Sequence, residues 1–170
     1  LYVIYGHPGS WPNDMAVSDL TPSFTITGLG SGQAMGSACA GPIDVDGNGA
    51  LDLVVSAAGG GAQDQGRALV YLLDGERLGG SLNSASADHI IDGDPSGPGG
   101  FGVSMTGLGD WDGDGYDDFA IYSNGPVIQN PSPPFNSWDA GTAYIVSTGH
   151  PSFNGNLTSE DIPYRFSGRA

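Results

Sequence analysis

The chain has 170 residues, a formal charge of −15 and no lysine, its four cations being Arg67, Arg77, Arg165 and Arg169. That balance repels nucleic acid and anionic membrane surfaces. Thirty glycines and twelve prolines approach a disordered composition, but short β-branched and aromatic runs such as Leu1–Tyr5 and Ala68–Leu73 oppose disorder and read as an all-β chain.

Leu1 to Tyr5 is a strand, too short for the apolar region of a signal peptide, and Ser23 to Thr27 is a second strand. Four more follow, at about Ala34–Ala40, Leu51–Ala57, Arg67–Leu73 and Asp88–Asp92. The last four are expected at about Gly102–Gly107, Asp118–Ser123, Thr142–Ser147 and Pro163–Ser167. Cys39, the single cysteine, excludes a disulfide framework within the chain and reads as a small buried strand residue. No apolar run approaches the ~18 residues of a membrane-spanning helix.

The chain repeats. Met35-Gly36-Ser37-Ala38 aligns with Phe101-Gly102-Val103-Ser104, and Asp44–Asp52 aligns with Asp110–Asp118 at the same offset. Gly66–Tyr71 aligns with Gly141–Val146 after an insertion in the second copy, and Gly6-His7-Pro8 matches Gly149-His150-Pro151. The expected organisation is half a unit at 1–34, a full unit at 35–100 and another at 101–170. Units of four antiparallel strands at this length read as blades of a β-propeller, about two and a half being present. A blade buries its faces only against neighbours. The expectation is therefore that further blades come from the same chain or from other chains stacked on it.

The segments Asp44-Val45-Asp46-Gly47-Asn48-Gly49-Ala50-Leu51-Asp52 and Asp110-Trp111-Asp112-Gly113-Asp114-Gly115-Tyr116-Asp117-Asp118 set oxygen ligands at positions 1, 3, 5 and 9. Calcium takes six to eight oxygens from carboxylates, amides and backbone. Site one would use Asp44, Asp46, Asn48, Asp52 and the carbonyl of Ala50. Site two would use Asp110, Asp112, Asp114, Asp118 and the carbonyl of Tyr116. The glycines admit the positive φ that such a curl needs. A bare acidic turn is disfavoured, because carboxylates ~5 Å apart repel by about 3 kcal/mol at an effective dielectric of 20. An EF-hand would need a glutamate at position 12, where this chain has Val55 and Ile121.

These residues resemble the FG-GAP repeats of integrin α-subunit propellers and of related bacterial secreted proteins. Phe101-Gly102 is the FG element and Met35-Gly36 its variant. The Gly-Ala-Pro half is replaced by Ser56-Ala57-Ala58 and Tyr122-Ser123-Asn124. The resemblance implies a seven-bladed propeller with calcium loops between strands one and two on one face and ligands bound on the other. It implies an extracellular, secreted or cell-surface module for adhesion, recognition or scaffolding, without specifying the ligand.

Recognition elements are sparser. The connection between strands two and three is longer in the second unit, within Pro126–Asp139. It carries Phe135 and Trp138 among stiffening prolines. Two readings stand, a loop packed on its own blade or a contact for a protein or glycan partner. His7 and His150 read as turn residues, His89 as solvent-facing, and Asn156-Leu157-Thr158 as a glycosylation sequon. No catalytic constellation is evident, so the chain is expected not to be an enzyme. Head-to-tail stacking into a filament, or service as an accessory or lectin-like domain of a secreted enzyme, stand as alternatives.

Overall fold

A computed structural model describes residues 1–4, 16, 22–62, 64–73, 80–95, 100–124, 141–151 and 153–167. Among the described residues the strands are β1 (Tyr2–Val3), β2 (Phe24–Thr27), β3 (Met35–Ile43), β4 (Asp52–Ala57), β5 (Arg67–Tyr71), β6 (Gly80–Asn83), β7 (His89–Asp92), β8 (Phe101–Gly109), β9 (Asp118–Ser123), β10 (Thr142–Val146), β11 (Leu157–Thr158) and β12 (Tyr164–Ser167). Among the described residues a 3₁₀ turn, Ser84–Ser86, is capped by the side chain of Asn83. The strands form three sheets, ordered β1-β2-β6, β11-β7-β5-β4-β3 and β12-β10-β9-β8.

The expected strands are present, with ends moved by a few residues. The first is reduced to Tyr2–Val3, paired antiparallel with β2. Two strands were not expected. β6 pairs in parallel with β2, and β11 pairs in parallel with β7. The middle sheet therefore has five strands rather than four. Each added strand satisfies the outer edge of a sheet begun by an earlier part of the chain.

The sheets stack in chain order through two apolar layers. Phe24 and Ile26 of β2 pack with Val55, Ala57, Leu69 and Tyr71 of the middle sheet. The opposite face of that sheet places Ala40, Val54, Ala68, Val70 and Ile91 against Phe101, Met105, Phe119, Ile121 and Val146 of the last. Alternation explains this, because Val54 and Val55 point to opposite faces and both are fully buried. β3 and β8 both carry register shifts near their ends. Gly36 and Gly102 sit there at φ +79° and +84°. A Cβ on Gly102 would come within 3.2 Å of Ser56 Cβ, so the glycine of the FG element permits the sheet-to-sheet approach.

Two expectations on single residues are corrected. Cys39 is exposed. It lies on β3, the end strand of its sheet, on the opposite face from Ala40, which is buried against the last sheet. His89 is half-buried rather than solvent-facing. Its ring packs on Phe153 at 4.8 Å, tilted by 46°, and its Nδ1 donates to the Gly155 carbonyl at 3.3 Å. His150 is in a turn as expected, its carbonyl accepting from Phe153 N–H at 2.8 Å. His7 lies outside the described residues, as do Phe135, Trp138 and the rest of the long insertion.

Candidate metal centres

Each acidic loop joins the first strand of its sheet to the second, β3 to β4 and β8 to β9. Gly47, Gly49, Gly113 and Gly115 all have positive φ, between +71° and +93°. They turn the intervening carboxylates to one side. The chain thereby gathers Asp44, Asp46 and Asp52 so that one oxygen of each lies within 4.8 Å of the others, and it gathers Asp110, Asp112 and Asp118 likewise.

The loops hold themselves with their own carboxylates. Asp44 Oδ2 accepts from Gly49 N–H at 2.9 Å. Asp110 accepts from Gly113 and Gly115 N–H at 2.7 and 3.1 Å. Asp46 accepts from the backbone and side chain of Asn48 at 3.1 and 3.0 Å. Asp112 accepts from Asp114 N–H at 3.2 Å and from the Ser147 hydroxyl at 2.6 Å. The fifth positions act alike. Asn48 Oδ1 accepts from Ala50 N–H at 2.6 Å, and Asp114 Oδ1 from Tyr116 N–H at 3.0 Å. Asp114 stands outside the gathered triplet of its loop and lies against Gly149, where an added Cβ would clash with its carboxylate.

The ninth position is the anchor. Asp52 and Asp118 are 1 % and 0 % exposed. Asp52 accepts from Val45 N–H at 2.9 Å and from Leu73 N–H at 2.7 Å. Asp118 accepts from Trp111 N–H at 2.9 Å and from Thr148 N–H at 3.0 Å. Each therefore ties its loop to the chain just beyond the third strand. Burial pushes both carboxyls above the usual carboxylate range, and the neighbouring aspartates push the same way. The backbone N–H bonds pull in the opposite sense.

These donors fit a hard cation. All the gathered groups are carboxylates, without nitrogen or sulfur. Asp44 Oδ1 is buried and has no hydrogen-bond partner. A buried carboxylate oxygen left unpaired is costly, and a cation among Asp44, Asp46 and Asp52 would satisfy it.

The two loops also touch each other, through Asp117, which lies outside the expected ligand sets. Asp44 N–H donates to Asp117 Oδ2 at 3.0 Å, and Asp117 N–H donates back to the Asp44 carbonyl at 2.9 Å. The Tyr116 ring covers Gly47, where a Cβ would come within 2.8 Å of Cε1. Asp117 is at position 8, and loop one has Leu51 there, 55 % exposed. That difference was the one available signal. Replacing Asp117 with Ala is expected to cost about 1–2 kcal/mol, the worth of a lost hydrogen bond to a backbone donor. Chemical denaturation would measure it, and an unchanged midpoint would contradict it.

The fold and these loops define an all-β protein with repeated acidic groups that could hold a metal ion. No family model matches the chain. It is similar to integrin alpha-PS2 of Drosophila melanogaster, 38 % identical over 105 residues. The match takes in 58 % of this chain and 7 % of that protein, so the chain spans only a small part of its relative's length. An integrin-α-like relation is thereby supported. Among the described residues, no helix is long and apolar enough to cross a membrane.

Proposed function

We propose that this chain is a segment of a calcium-binding, extracellular β-propeller that serves adhesion, recognition or scaffolding. The observation that carries the reading is the pair of matching loops, each gathering three carboxylates within 4.8 Å. Asp44, Asp46, Asn48, Asp52 and the Ala50 carbonyl would hold one ion. Asp110, Asp112, Asp114, Asp118 and the Tyr116 carbonyl would hold the other. Bound calcium supplies charge neutralisation and a cross-link within each loop. The residues supply the rest: the ninth-position aspartates fix each loop to its sheet, and Asp117 fixes the second loop to the first.

The propeller reading draws support from the register. Ala68 faces Ile91 across β5 and β7, and Val54 faces Val70 across β4 and β5. All four are buried against the next sheet. In the last sheet Ala143 faces Phe166 and Ala120 faces Ile145 at the matching places. Phe166 is 61 % exposed, with Tyr122 at 40 % and Tyr164 at 38 %. An apolar face of that kind suits another sheet stacked in the same way. The same face favours a second reading, head-to-tail stacking of separate chains. Size-exclusion chromatography distinguishes them, since a stable monomer opposes stacking.

In this reading the chain does no catalysis, and its ligand is a protein or glycan. Isothermal calorimetry tests the calcium sites. Two ions should bind, the tighter at site two, where four carboxylates replace three and Asn48. Asp110→Asn with Asp112→Asn should remove the tighter event. Site one binding equally or more tightly would refute the order, and no heat of binding would refute the sites.

A further inference from the structure

The outer edge of each of the first two sheets is closed by a strand from the following repeat. β6 comes from the connection between β5 and β7 and lies parallel to β2, with Leu82 opposite Ile26. β11 comes from the equivalent connection between β10 and β12 and lies parallel to β7, with Leu157 opposite Ile91. The donors share a pattern, Gly80-Ser81-Leu82-Asn83-Ser84 and Gly155-Asn156-Leu157-Thr158-Ser159. In each the final serine is buried, Ser84 at 6 % and Ser159 at 2 % exposed. Each is also pinned by other bonds. Thr25 and Ser81 hydroxyls lie 2.8 Å apart, and Ser159 N–H donates to the Asp92 carbonyl at 2.7 Å.

The third edge of this kind is β12. Among the described residues it ends the last sheet, and all four of its own residues are exposed. Strand pairing puts Phe166 opposite Ala143, as it puts Ile91 opposite Ala68. Phe166 thus holds the place that Ile26 and Ile91 hold on the closed edges.

We propose that the free edge of β12 is a docking site for a Gly-x-Leu-x-Ser strand of a further repeat unit. The strand adds in parallel, with its leucine opposite Phe166. Among the described residues both strands of this pattern are already engaged, on β2 and β7. The occupant is therefore a third unit of the same kind. Backbone pairing supplies the attraction and the leucine, set opposite Phe166, supplies the register. The inference rests on repeat stacking and is independent of calcium.

The test appends a tail to the whole chain, a flexible Gly/Ser linker followed by the sequence of residues 153–163. The linker raises the effective concentration of the strand. Amide hydrogen exchange at Tyr164–Ser167 is expected to slow about tenfold relative to the untailed chain. A tail whose leucine is replaced by Asp should lose the effect. In a Cys39→Ser background, Phe166→Cys should form a disulfide with a cysteine at the tail leucine and not with one a residue away. Exchange unchanged by the tail, equal slowing by the Asp tail, or cross-linking in the shifted register would each overturn the proposal.

Discussion

In about 10 mM calcium this protein should melt roughly 5–20 °C above its melting temperature in EDTA. An ion bound only by the folded chain stabilises it by mass action. Extracellular calcium modules have dissociation constants of about 10⁻⁴–10⁻³ M. At ten to a hundred times such a constant, each site adds about 1.4–2.7 kcal/mol. Two sites double that, and 1 kcal/mol moves a chain of this size by about 2–4 °C. The gain is plausible because of what the loops must otherwise bear. Three carboxylates within 4.8 Å of one another repel, and Asp44 Oδ1 is buried without a donor. Magnesium at the same concentration should recover much less, since it surrenders its waters reluctantly. An unchanged melt in EDTA would remove calcium from the account of this fold.

The parts of this architecture that are local and periodic were legible in the sequence. The alternating Asp-x-Asp-Gly spacing is a local property, so the loops and the strands beside them emerged close to where they lie. Val54 and Val55 are buried on opposite faces of β4, in keeping with the expectation that a blade buries its faces against neighbours. What escaped depends on tertiary pairing. β6 and β11 are two to four residues long and polar except for one leucine. Their strand character comes from the edge they join, which no local pattern encodes. Only comparison of the two Gly-x-Leu-x-Ser segments could have exposed them. His89 was misjudged for the same reason, since Phe153, which packs on it, lies in the neighbouring repeat. Cys39 was misjudged because a small apolar residue was equated with burial, whereas its exposure depends on what covers β3. Asp117 was overlooked because it falls between two expected ligands, and its partner Asp44 is in the other loop.

Asp118 and Asp114 belong to one loop, yet their replacement should have unequal effects once calcium is removed. Asp118→Ala should destabilise the protein by about 2–4 kcal/mol even in EDTA. The loss arises because Trp111 and Thr148 N–H both end on this carboxylate, the latter bond buried. Asp118→Asn keeps the volume and one acceptor, so it should lose about half as much. Asp114→Ala should change stability in EDTA by less than about 0.5 kcal/mol, because the residue is exposed, while reducing the calcium-induced rise in melting temperature. The pH response adds an independent sign. Asp52 and Asp118 have folded-state pKa values above 3.8, chiefly through burial. A group raised in this way binds its proton more tightly when folded. Its contribution to stability is fully present below the unfolded value and is lost as pH rises through the folded one. In EDTA, acidification from neutral pH towards 3.8 should therefore gain stability from these two groups, and Asp118→Ala should flatten the gain. In calcium the slope should reverse, because protons compete with the ion for the same oxygens. Equal slopes with and without calcium would show that the buried aspartates serve the strands and not an ion.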